Sequence, residues 1–138
     1  MKKVLIMGLP GAGKTTLAQR LIEILARANY SFYWLNADKI RKEYNDWDFS
    51  ESGRIRQSER MRDLADNRNE DFVICDFVAP LPQMRENFNP DFLIWVDTIN
   101  ECRFEDTNKV FVQPNEPDLR VNSQNAKFWA AAIFNIIV

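Results

Sequence analysis

Histidine is absent from this 138-residue chain, and cysteine occurs only at Cys75 and Cys102, outside any metal or redox spacing. Those shortages exclude histidine base catalysis and a zinc centre built from clustered Cys and His ligands. Excess charge is missing too: 18 Lys and Arg stand against 20 Asp and Glu, a net charge of −2. A general nucleic-acid binder wants a basic face, so no nucleic-acid partner is expected, and a polyanionic ligand must be met by local positive charge. Long apolar runs are also lacking. The four apolar residues after Met1-Lys2-Lys3 are too few for a secretion signal. The apolar tail from Ala130 to Val138 is far shorter than the ~20 residues of a membrane span, and it reads as a closing helix packed on a sheet. The length suits one domain over residues 1–138 and not two. A cytoplasmic protein with no membrane partner fits these bounds.

Glycine is scarce, and its placement carries the most information. Of four glycines, three (Gly8, Gly11 and Gly13) fall within six residues. An apolar strand, Val4-Leu5-Ile6-Met7, runs straight into Gly8-Leu9-Pro10-Gly11-Ala12-Gly13-Lys14-Thr15, which fits the phosphate-loop pattern G-x-x-x-x-G-K-[ST]. With glycine near ~7% of ordinary usage, a chance match in such a chain is on the order of one in two hundred. Glycines let the backbone curl so that successive N–H groups point at phosphate oxygens. The helix beginning near Lys14 aims its own free N–H groups at the same phosphates. The expected ATP site therefore runs from Gly8 to Thr16. Lys14 reaches the β- and γ-phosphates, the Thr15 hydroxyl ligates Mg²⁺, and Thr16 is a further phosphate donor.

Leu17, Leu21, Leu25 and Ala28 repeat at helical spacing, with Ile22 and Ile24 widening the stripe and Asn29 as a stop. Ser31–Leu35 reads as a second strand ending at Asn36, Phe72–Cys75 as a third ending at Asp76, and Phe92–Val96 as a fourth ending at Asp97. Ser50 can cap a charged helix running to about Arg68. Strands apolar on both faces and separated by helices predict a three-layer α/β/α phosphate-loop NTPase fold with a mostly parallel sheet. Functional groups then collect at the carboxyl ends of the strands, where Asn36, Asp38, Asp76 and Asp97 fall.

Past that point the chain resembles the adenylylsulfate kinase family. Asn36-Ala37-Asp38-Lys39-Ile40-Arg41 is similar to the family's Asp-Gly-Asp-x-x-Arg stretch, and Asp48-Phe49-Ser50 with Arg54 to its Gly-Phe-Ser segment and arginine-bearing helix. Phe77-Val78-Ala79-Pro80 is similar to Phe-Ile-Ser-Pro, Val96-Asp97-Thr98 to Val-Asp-Thr, Lys109-Val110-Phe111 to Lys-x-Phe, and Pro114 to Leu119 to Pro-x-x-Pro-Glu-Leu. The resemblance implies Mg²⁺- and ATP-dependent phosphorylation of the 3′-hydroxyl of adenosine 5′-phosphosulfate. It makes Lys14 and Asp38 catalytic and gives Arg41 and Arg54 the phosphosulfate, which a planar guanidinium can hold bidentately. It sets Phe49 and Phe111 on the two faces of the acceptor adenine and puts Gln57, Phe77, Val78, Ala79 and Lys109 in the acceptor site.

The departures are equally specific. Asn36 replaces an aspartate, Gln57 an asparagine and Ala79 a serine. The family's Arg-Asp-x-Lys-Gly-Leu-Tyr lid is cut out, so that Glu105-Asp106 runs almost directly into Lys109. Asp76 is the candidate second metal-side carboxylate in place of the one lost at Asn36. Two other functions stay open: a kinase for another small nucleotide or hydroxylated acceptor, and a nucleotide-binding module without transfer. Blander readings also stand beside the residues. Asp38 and Arg41 suit a helix cap and surface ion pair; Phe49 and Phe111 suit a core. The arginines from Arg56 to Arg68 suit a solvated face, and both cysteines suit buried positions. Arg85 is a candidate anion contact. Trp129 and Phe134, if exposed on the last helix, would mark a homodimer face.

Overall fold

Alternation in the first strand already divides the interior in two. In β1 (Lys2–Met7), Val4 and Ile6 point into one apolar cluster while Leu5 and Met7 point into another. The computed structural model describes residues 1–138. β2 (Phe32–Asn36), β3 (Phe72–Asp76), β4 (Phe92–Val96) and β5 (Leu119–Val121) complete a sheet of order β2-β3-β1-β4-β5, with every pair parallel.

Helices cover both faces. α1 (Lys14–Arg27) buries Leu17, Ala18, Leu21 and Leu25, and with α6 (Ala126–Ile137) it closes the cluster around Val4 and Ile6. On the other face, α2 (Ala37–Tyr44), α3 (Glu51–Asp66) and α4 (Pro82–Phe88) bring Ile40, Met61 and Phe88 against Leu5 and Met7. A short α5 (Glu105–Val110) lies between β4 and β5. This is the expected three-layer phosphate-loop NTPase fold. No helix is long and apolar enough to cross a membrane.

Three differences from the sequence reading have local causes. β5 has only three residues, Leu119-Arg120-Val121, too few to show a strand pattern, and it forms because it pairs with β4. Trp129 and Phe134 are not exposed: both are half-buried against the first cluster, where the Trp129 indole N–H donates to Ser123 Oγ at 3.0 Å and Phe134 meets Tyr30 edge-on. The exposed apolar side chains of that helix are instead Phe128 and Ile136. Arg85 is no surface anion contact either. It is buried and donates to the carbonyls of Ala79, Pro80 and Val112, tying together backbone that the sequence order keeps apart.

Candidate active site

The loop after β1 is shaped by close approach as well as by curl. A Cβ on Gly8 would stand 2.5 Å from the carbonyl oxygen of Val96, so only glycine lets the loop pass β4. Gly13 caps α1 in the left-handed region (φ 104°), which leaves the helix N–H groups free to meet a ligand. Leu9 and Ala12 are buried; the Leu9 carbonyl accepts from Lys14 Nζ at 3.0 Å and the Ala12 carbonyl from Thr98 Oγ1 at 2.7 Å. Burial pulls the Lys14 ammonium down to about 8, against the opposing pull of Asp76 and Asp38. A lysine held this way is a charge awaiting an anion.

Asp76, at the end of β3, is the hub beside it. Its Oδ2 accepts from Thr15 Oγ1 at 2.9 Å and from Asn36 Nδ2 at 3.0 Å, and its Oδ1 accepts from the Trp34 indole at 2.7 Å. Burial raises its proton affinity, while those donors and Lys14 oppose the rise. Parallel register sets Asn36 directly opposite Asp76, which explains the amide at that position. Asn36 uses both ends of its side chain: Oδ1 caps α2 by accepting from Lys39 N–H at 3.0 Å, and Nδ2 donates to the carboxylate. An aspartate there would set two carboxylates against each other. The carboxylate at this corner of the site thus sits on β3 rather than on β2. Thr15 and Asp76 offer hard oxygen donors side by side, which suits Mg²⁺; this ion commonly takes one or two carboxylates together with substrate phosphates.

A cleft of about 790 Å³ opens from the loop across the strand ends. Pro10, Gly11, Gly13, Lys14, Thr15 and Thr16 of the loop line it together with Asp38, Arg41, Phe49, Arg54, Gln57 and the segment from Asp76 to Pro80. Arg41 donates to the carbonyls of Asp46 at 2.9 Å and Asp48 at 3.3 Å, and its guanidinium lies 4.3 Å from the Phe49 ring centroid. Arg54 donates to the Phe49 carbonyl at 2.8 Å and reaches Asp106 and Thr107 at the start of α5. Gln57 is held between the Ala37 carbonyl and Arg60. Ala79 is in the left-handed region (φ 46°), a strained conformation for a residue with a Cβ, and Arg85 fixes it by donating to its carbonyl at 2.9 Å.

Not every residue from the sequence reading reaches this cleft. Lys109 is exposed on α5, and Phe111 packs against the second core cluster with Arg85 over its ring; neither lines the cleft. Phe111 directly follows the six-residue α5, in extended backbone, and packs on the core from there. Asp97 pairs with Arg120 of β5 and also lies outside. Two half-exposed rings that sequence reasoning missed, Trp47 and Phe104, do line the cleft, and so does Arg103. No periodicity marks loop residues, so only an exposed aromatic or cation in the folded cleft reveals them. A second cavity of about 340 Å³ lies behind the loop, between Gly11, Thr16, Thr98 and the turn from Ser123 to Ala126.

The family model for Adenylylsulphate kinase matches residues 2–116. The chain belongs to the adenylylsulphate kinase family. Among curated relatives, the probable adenylyl-sulfate kinase of Aeropyrum pernix is 38% identical over 85 residues, covering 59% of this chain and 46% of that one. The bifunctional enzyme NodQ of Azospirillum brasilense is 31% identical over 123 residues, 82% of this chain but 20% of NodQ. The chain therefore spans less than half the length of these curated relatives. Two solved structures share this fold across 99% of the chain. The Mycobacterium tuberculosis APS kinase CysC in complex with AMPPNP and APS matches with a TM-score of 0.84 at 20% identity, over 96% of its length. APE1195 matches with a TM-score of 0.82 at 24% identity, over 94% of its length.

Proposed function

We propose that the chain is a single kinase domain over residues 1–138 that transfers the γ-phosphoryl group of ATP to the 3′-hydroxyl of adenosine 5′-phosphosulfate. The product is 3′-phosphoadenosine 5′-phosphosulfate. One observation carries the reading: a single cleft is lined by Lys14 and Thr15 together with Asp38, Arg41, Phe49 and Arg54. That set of side chains suits a nucleoside triphosphate facing an anionic, heteroaromatic acceptor. The APS kinase CysC structure of matching fold was solved with AMPPNP and APS, the same pairing of ligands. Cytoplasmic sulfate assimilation is the setting in which such a reaction belongs.

Transfer requires the acceptor oxygen, the γ-phosphorus and the leaving oxygen in line. Arg41 and Arg54 bind the acceptor's phosphosulfate, and Phe49 stacks on its base. Asp38 orients the 3′-hydroxyl and takes its proton as the new P–O bond forms. Lys14 draws charge from the transferring group, and its buried position makes that attraction strong. Thr15 and Asp76 would hold Mg²⁺, which when bound supplies charge neutralisation on the phosphates.

A coupled ADP-release assay with adenosine 5′-phosphosulfate, a Lys14→Ala control and product identification by mass tests the reading. Lys14-dependent 3′-phosphate is the expected result. Nucleotide binding without any product at millimolar acceptor overturns it. That outcome favours the second reading, a nucleotide-binding module without transfer, for which the amide at Asn36 and the six-residue α5 in place of a lid are the motivating observations.

A further inference from the structure

We propose that Arg103 is a catalytic residue: an arginine supplied in cis whose guanidinium swings onto the transferring phosphoryl group. The proposal rests on the kinase reading above.

Four cations line the cleft: Lys14, Arg41, Arg54 and Arg103. Three are engaged by the protein. Lys14 donates to the Leu9 carbonyl, Arg41 to the carbonyls of Asp46 and Asp48, and Arg54 to Phe49, Asp106 and Thr107. Arg103 makes no hydrogen bond or ion pair; its guanidinium rests over the half-exposed ring of its neighbour Phe104, 4.9 Å from the centroid. It is the one lining cation free to move to an incoming anion.

Its backbone, by contrast, is fixed. The Asn108 side chain brackets Cys102, accepting from its N–H and donating to its carbonyl, both at 2.8 Å. Upstream, Thr98 Oγ1 donates to the Ala12 carbonyl at 2.7 Å, fastening the same segment to the phosphate loop. A rigid root beside the loop and a free tip over the cleft are what an arginine needs to meet charge that develops only during reaction. Glu105 and Asp106 open α5 with negative charge, so Arg103 is the cation that this segment brings to the cleft beside Lys14.

In the step itself, the acceptor oxygen bonds to the γ-phosphorus and the bond from that phosphorus to the β–γ bridging oxygen breaks. The electron pair leaves with ADP, and the hydroxyl proton passes to the Asp38 carboxylate and then to water. Arg103 makes and breaks no covalent bond. Its N–H groups take up charge on the bridging and γ-oxygens as the phosphoryl group moves.

The test compares wild type, Arg103→Ala and Arg103→Lys by turnover, by the affinity of a fluorescent ATP analogue with Mg²⁺, and by the affinity of MgADP with aluminium fluoride, a mimic of the moving phosphoryl group. Arg103→Ala is expected to lower kcat by about 10³-fold. ATP-analogue affinity stays within about threefold, and aluminium fluoride affinity falls with kcat. Arg103→Lys recovers at most about a tenth of the loss, because an ammonium is a point charge and cannot bridge two oxygens. A kcat within about fivefold of wild type, or a loss confined to KM with kcat intact, overturns the proposal. If the wild type makes no product from adenosine 5′-phosphosulfate, the acceptor assignment fails by itself. Arg103 is then judged on aluminium fluoride affinity and Lys14-dependent ATP hydrolysis, and equality of Arg103→Ala with wild type in both refutes it.

Discussion

Replacing Lys14 by methionine is expected to destroy the site and stabilise the empty protein. The ammonium is buried and its proton affinity falls from the ordinary 10.5 to about 8. At ~1.4 kcal/mol for each tenfold change, that fall amounts to about 3 kcal/mol of folding free energy lost at pH 7. Methionine keeps the apolar stem and removes the charge, but it leaves the Leu9 carbonyl without its donor, at a cost of about 1 kcal/mol. Lys14→Met is therefore expected to be about 2 kcal/mol more stable than wild type at pH 7. The sign of the pH dependence follows from the depressed value. Between about 8 and 10.5 the unfolded chain holds more protons at this position than the folded one, so wild-type stability rises with pH through that window and is lost as pH falls through about 8. The gap between the two proteins is thus expected to shrink to about zero near pH 10. Urea unfolding at pH 7 and pH 10 measures both values. Saturating MgATP, at about 100 times Kd, adds about 2.7 kcal/mol to the wild type and nothing to the variant, reversing their order. A variant less stable than wild type at pH 7, or a gap that does not change with pH, refutes the reasoning.

Three further outcomes follow from the same geometry. Gly53→Ala ordinarily stabilises a helix by about 1 kcal/mol; here its Cβ would stand 2.5 Å from Asp48 Cγ, so the thermal midpoint is expected to fall, and a rise contradicts the packing described. Asp76→Asn is expected to reduce the Mg²⁺-dependent part of nucleotide affinity about tenfold, with affinity in EDTA unchanged; equal losses with and without Mg²⁺ rule out a metal-side role. Phe49→Ala is expected to raise KM for the acceptor about tenfold with KM for ATP unchanged, as loss of one stacked base predicts. Steady-state kinetics with each substrate varied in turn decides the last of these, and an unchanged acceptor KM removes Phe49 from the base site.

The sequence by itself determined the phosphate loop, the four long strands and both faces of the sheet. All of these rest on local signals: glycines at fixed offsets, a 3.6-residue apolar repeat after Lys14, and short runs apolar on both faces. Only the resemblance to adenylylsulfate kinase suggested that Asp38, Arg41, Phe49 and Arg54 share a site, and all four line the cleft. What the sequence could not decide depends on which backbones pass close in space. Gly53 looks like a weak point in a helix until Asp48 is seen packed where its side chain would be. Arg85 looks like a free cation until three carbonyls from two segments close around it. The exchange of charge between Asn36 and Asp76 exists only because β2 and β3 pair in parallel and in that register. Phe111 packs against the core, while Trp47, Arg103 and Phe104, from two separate loops, meet at the cleft. Local propensity is written residue by residue, but a close approach, a desolvated charge or a free guanidinium is a property of atoms that meet only after folding.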